Sequence, residues 1–111
     1  MGYVEPDSMR LRDFTNDSLA RTGDQIREST GIVTQGAMND FIRTIGNIDF
    51  QSVTLAHGEL YCQMCLDRGN NKSTVAKKLR HIKRLFNIAV NRKQLDENPL
   101  QHITLPNYIR N

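Results

Sequence analysis

Between Lys72 and Arg92 lies the one stretch of this 111-residue chain that dictates its own conformation. Val75, Leu79, Ile82, Phe86, Ala89 and Val90 recur at three- and four-residue steps, which gathers them on one side of a helical wheel. The segment is therefore a long amphipathic helix, and it needs an apolar surface to lie against. The sequence contains no strand alternation, internal repeat or low-complexity run, so the surface must come from further helices. The predicted fold class is all-α, with four to five helices. The length holds one domain, and 38% hydrophobic residues suffice for its core.

The remaining helices are marked by weaker signals. Residues 1–10 read as an N-terminal tail containing Pro6, and Leu11, Phe14 and Leu19 give a sparse stripe for a first helix. Ser29-Thr30 predicts the N-cap of a second helix over about 30–45, where Val33, Ala37, Phe41 and Ile45 recur every four residues beside Met38 and Ile42. Gly31 and Gly36 each weaken it by about 1 kcal/mol relative to alanine. Gly46-Asn47 ends it, and an extended connector follows whose Ile48, Phe50 and Val53 form an apolar lid. Thr54 then caps a third helix running to about Arg68, with Leu60, Tyr61 and Met64 inward, before a Gly69-Asn70-Asn71 turn. Asn98-Pro99 predicts the start of a short final helix holding Leu100 and Ile103 in the core, ended by Leu105-Pro106. The expected core is Val33, Phe41, Ile45, Leu60, Leu79, Ile82, Phe86 and Ala89.

A net charge of +3 says little, but its distribution says more. Residues 1–67 carry five arginines against ten acids, whereas residues 68–111 carry ten Lys/Arg against Asp96 and Glu97. Such polarity points to a polyanionic partner. On the long helix Lys77, Arg80 and Arg84 fall within about 60 degrees of one another, opposite the apolar centre. Lys72 precedes them, and Asn87 and Asn91 extend the face. Lys78 and Lys83 flank the core side, where their stems cover apolar surface and their ammonium groups reach solvent. No acid lies between Arg68 and Lys93, so the i,i+4 partners that neutralise a solvated helix face are missing. On the second helix Gln35, Asn39 and Arg43 stand four apart, away from the apolar stripe. Gln and Asn pair with adenine, and Arg with guanine or phosphate, in a major groove that admits one helix. The expected partner is double-stranded DNA.

Other chemistry finds little support. Cys62 and Cys65 have C-x-x-C spacing but no second ligand pair, and His57, His81 and His102 are scattered, so the thiols read as small apolar residues. Their closeness also excludes a disulfide framework. His81 and Arg84 match the H-x-x-R pair of phosphoryl-transfer enzymes, but Ile82 between them centres the apolar face and no second arginine cluster accompanies them. No metal or cofactor is expected. No apolar run approaches the roughly 18 residues of a membrane span, and no signal peptide opens the chain. Pro6 occupies the position where a myristoylation signal has Ser or Thr. The expected location is cytoplasmic, with no membrane partner.

The order Gly69…Ser73-Thr74-Val75…Leu79-Arg80…Lys83-Arg84-Leu85-Phe86-Asn87…Ala89-Val90…Asn98-Pro99 resembles the end of the core-binding domain of tyrosine recombinases, the phage-integrase family. Phe41-Ile42…Ile45-Gly46…Ile48-Asp49…Val53-Thr54 is similar to that family's second helix, connector and third-helix start, and the resemblance spans about 29–106. It implies a SAM-like bundle over 11–105, with 106–111 beginning a linker to an absent C-terminal catalytic domain. It also implies that helices two and four face the DNA, with Gln35, Asn39 and Arg43 on one and Lys77, Arg80 and Arg84 on the other. The family's catalytic tyrosine, arginines, lysine and histidine belong to the other domain, so this segment is not expected to cut DNA. The implied partners are duplex DNA, the catalytic domain of the same protein and other recombinase protomers on DNA; the isolated domain is expected to be a monomer of prokaryotic or phage origin. Two competing readings share the basic helix. One is a helix-turn-helix regulator, with Thr74 and Lys77 opening a recognition helix that is long for the role and with dimeric binding to a symmetric site. The other is a SAM-like protein-interaction module facing an acidic surface.

Overall fold

A computed structural model describes residues 9–22 and 28–103. The long helix, α4 (Lys72–Asn91), is the element against which the others are arranged; α1 (Leu11–Thr22), α2 (Glu28–Ile45) and α3 (Leu55–Asp67) precede it. Its start is fixed by Asn71, whose side chain accepts a hydrogen bond from the Thr74 N–H at 2.8 Å. The preceding Gly69 has φ +98°, a left-handed backbone that costs any residue with a Cβ about 1–2 kcal/mol. Val75, Leu79, Ile82, Leu85, Phe86 and Ala89 form the buried face of α4. Leu85 widens the stripe beyond the predicted line. Among the described residues there is no strand, only an isolated bridge between Arg10 and Asp49.

Aromatic rings tie the helices together. Phe14 of α1 stacks on Phe50 at 4.4 Å and meets Phe86 of α4 at 5.4 Å, so the first helix is clamped between the connector and the long helix. Phe41 of α2 packs edge-on against Tyr61 of α3 at 5.2 Å. The sparse stripe of α1 is widened by three buried hydroxyl residues, two of which bond within the helix: Thr15 Oγ1 donates to the Leu11 carbonyl and Thr22 Oγ1 to the Ser18 carbonyl, both at 2.8 Å. The connector does form an apolar lid through Phe50 and Val53, although Phe50–Ser52 is a 3-10 turn rather than extended chain. It is laced to the start of α1 by Leu11 N–H to the Ile48 carbonyl (2.7 Å) and Phe50 N–H to the Met9 carbonyl (2.9 Å). Met9 and Arg10, the described part of the predicted tail, thus belong to this seam.

The structure also corrects expectations about three of the predicted helices. α2 already includes Glu28, so Ser29 and Thr30 lie inside the helix instead of capping it. Val33 is 52% exposed, because α2 fits between its neighbours through Thr34, Ala37, Met38, Phe41 and Ile42, a line rotated by one residue. Leu60 and Met64 are also exposed. α3 is apolar on several sides, and it turns Tyr61, Cys62, Cys65 and Leu66 inward because the Tyr61 hydroxyl reaches a carboxylate of α2. Finally, among the described residues no helix follows Asn98-Pro99. The Asn98 amide donates instead to the Lys83 carbonyl (2.9 Å) and to Asn87 Oδ1 (2.8 Å), which ties a hydrogen-bonded turn onto α4. Leu100 and Ile103 are buried as expected, against Gly58 of α3, where a Cβ would lie 2.5 Å from Leu100 and 2.7 Å from Ile103. The predicted Leu105-Pro106 stop and the 106–111 linker lie outside the described residues.

Candidate nucleic-acid interface

The cations of α4 divide into two sets. Lys78 turns inward, and its Nζ lies 3.3 Å from a carboxylate oxygen of Asp40 on α2, which corrects the expectation that its ammonium group reaches bulk solvent. The same oxygen accepts from the Tyr61 hydroxyl at 2.8 Å and lies 3.6 Å from Arg68 Nη2. Burial alone would raise the Asp40 carboxyl; the Tyr61 and Lys78 hydrogen bonds, with the charges of Lys78 and Arg68, outweigh it and hold the carboxyl below its ordinary value. Burial and the bond to Asp40 push the Tyr61 phenol upward, so this fully buried tyrosine is a protonated strut joining α3 to α2. Asp40 therefore pins three helices, and its signal in the sequence was an acid directly beside the core residue Phe41.

Asp40→Asn should cost about 1–3 kcal/mol at neutral pH, because Lys78 and Arg68 lose their charge partner. Since the folded carboxyl is held down, its contribution is complete well above its ordinary value of 3.8 and is lost as the pH falls through the lower folded value. Urea unfolding along a pH series should show the variant losing that part of the acid limb. Identical acid limbs in the two proteins would remove Asp40 from this role.

Lys72, Lys77, Arg80 and Arg84 make up the second set. All four are exposed, and among the described residues none has an acidic partner. Arg80 and Arg84 line a groove of about 450 Å³ together with Lys83 and Asn87, over a floor of Ala76, Leu79 and Ile103. Asn87 is held there by the Asn98 amide. Lys83 and Ile103 are members of this face that the helical wheel did not single out, because the groove depends on the turn folding back. A wider cleft of about 1060 Å³ near Thr54, Lys93 and His102 carries Asp96 and Glu97 on its walls, and its mixed charge suits a polyanion poorly.

The predicted residues of α2 are placed as follows. Gln35 and Asn39 are half-buried and bonded to each other, Gln35 Nε2 donating to Asn39 Oδ1 at 3.3 Å. Arg43 is exposed, with one guanidinium nitrogen 4.0 Å from Asp40. α2 and α4 pack directly, joined by Lys78 to Asp40 and by Thr34 Oγ1 to His81 Nδ1 at 3.2 Å. The H-x-x-R match is thereby divided: His81 is engaged by Thr34, while Arg84 lines the groove. Burial, then the charges of Arg80 and Arg84, lower the His81 pKa and favour its neutral form at pH 7. Both thiols are free and buried, and burial first of all pushes Cys62 up to about 11, which disfavours a thiolate. Among the described residues no three His, Cys, Asp or Glu side chains are grouped to hold a metal, and no helix is long and apolar enough to cross a membrane.

This helical bundle is a fold seen in integrases. The sequence matches the phage integrase SAM-like domain over residues 10–105, and the chain belongs to that family. Its fold is similar to that of the Tn1549 transposon integrase solved in complex with a circular-intermediate DNA, with a TM-score of 0.71 at 18% identity. That match covers 86% of this chain and 30% of the integrase, so the chain spans under a third of that protein. It is also similar to an integrase-like domain from Bacillus cereus, with a TM-score of 0.69 at 23% identity over 97% of this chain and 92% of that one. No curated protein matches the sequence.

Proposed function

We propose that this domain is the DNA-binding, core-binding module of a tyrosine recombinase, holding duplex DNA while a separate C-terminal catalytic domain breaks and rejoins strands for site-specific recombination and integration. The observation that carries the reading is the set of exposed cations on α4 (Lys72, Lys77, Arg80, Arg84) that have no acidic partner among the described residues, on a helix packed directly against α2. The DNA-bound state of the Tn1549 relative supports it. Each phosphate neutralised releases condensed counterions, so binding gains entropy from the salt solution. Lys77, Arg80 and Arg84 neutralise phosphates, and Gln35 and Asn39 meet base edges in the major groove, with Arg43 beside them. The domain supplies grip without chemistry; its working partners are the catalytic domain of the same protein and neighbouring protomers on DNA.

Fluorescence anisotropy with a duplex of about 20 base pairs tests this. Weak binding at low salt should fall steeply toward physiological salt, and Lys77→Ala or Arg84→Ala should each reduce the log–log salt slope by about one. Asn39→Ala should instead matter only on a preferred site, by about 1–3 kcal/mol. Absence of binding at low salt would defeat the proposal. Supercoiled plasmid incubated with the domain should stay unnicked, and a covalent protein–DNA adduct would refute the assignment of the chemistry to another domain.

A further inference from the structure

We infer that Ile32 of α2 contacts the 5-methyl group of thymine in the major groove, that Gly36 lets the helix approach closely there, and that the Gln35–Asn39 pair takes the neighbouring adenine edge. The inference rests on the DNA-binding reading and deepens it to a preference for A·T pairs. Ile32 is 66% exposed, the most exposed of the large hydrophobic side chains among the described residues. Helical steps of three and four place it on the same outer side as Gly36, Asn39 and Arg43, away from the buried line of Thr34, Ala37, Met38 and Phe41.

Gly36 stands in mid-helix, where glycine is less favourable than alanine, yet a Cβ built on it would meet nothing within 4 Å. No packing within the described protein calls for the missing side chain. The space it leaves is useful to something that approaches from outside. The amide pair beside it indicates what that is. Gln35 and Asn39 share one hydrogen bond, and whichever way their amides are turned, that bond leaves the NH2 group of one and the carbonyl of the other unused. Adenine offers the complementary N7 acceptor and N6 donor in the major groove, and its thymine partner offers a methyl group beside them. Ile32 supplies the apolar surface that such a methyl requires. Arg43 at one end of the stripe, and the cations exposed on the neighbouring α4, bring the charge that suits a polyanion, which favours a duplex over an apolar protein segment.

The test compares a duplex of about 20 A·T pairs with the same duplex carrying uracil in place of thymine, which removes only the methyl groups. Anisotropy should show the wild-type chain binding the thymine duplex about fourfold more tightly for one methyl contacted. Ile32→Ala should bring the two affinities together while leaving the salt slope unchanged, since no phosphate contact is lost. Gly36→Ala should raise thermal stability yet weaken binding to both duplexes, because the added methyl holds the helix off. Salt-dependent binding that is equal for thymine and uracil, or a thymine preference that survives Ile32→Ala, would overturn the inference and leave the DNA-binding reading standing. Absence of binding to either duplex at low salt would overturn both.

Discussion

Phe86→Ala should destabilise the domain by about 3–5 kcal/mol, the range for removing a large aromatic from a packed core. Phe86 is fully buried on α4 and meets Phe14 of α1, which stacks in turn on Phe50 of the connector. Removing its ring opens a cavity at the point where three elements converge, and fixed helices cannot close over it. A single domain of this size has about 5–15 kcal/mol of stability in total, so the loss is a large fraction. Urea denaturation followed by circular dichroism measures it. A shift under about 1 kcal/mol would mean that the aromatic chain from Phe50 through Phe14 to Phe86 does not hold α1 and α4 together.

Replacing Lys77, Arg80 and Arg84 together with glutamine should weaken duplex binding on the order of a hundredfold near physiological salt and flatten the salt slope by about three. The side chains are exposed and lack acidic partners among the described residues, so the variant gives up no internal ion pair and should fold as the parent does. Its stability should equal or exceed the parent's, since mutual repulsion along α4 is relieved. A merely solvated basic face forecasts something different: affinity unchanged within about twofold. Anisotropy and thermal unfolding on the same two proteins separate the cases.

How much of this was legible in the sequence varied with how strongly each segment constrains itself. α4 was read almost to the residue, because its apolar face is narrow and its flanks carry Gly69 and Asn71 as explicit boundaries. α3 was placed but mis-rotated. Tyr61 is inward as read, but the sequence offers Leu60 and Met64 beside it as readily as Cys62 and Cys65, and Asp40, which pairs with Tyr61 and Cys65, lies in another helix and becomes a partner only when the chain folds. The same long-range pairing explains why Lys78 was expected in solvent. Asn98 shows a third limit: its cap-like position before a proline is real, but its amide is claimed by α4, and a turn results where local preference suggested a helix. The basic face could be seen in advance because it depends on one helix alone; the groove beside it could not, because Ile103 reaches it from the folded-back turn.

The central claim is that α2 and α4 together form the surface that meets DNA, and amide chemical-shift perturbation during titration with a duplex of about 20 base pairs tests it most directly. The largest shifts should cluster at Ile32–Arg43 on α2 and at Lys72–Arg84 on α4, and should fade as salt is added. Shifts confined to α1 and α3, or none at low salt, would contradict it.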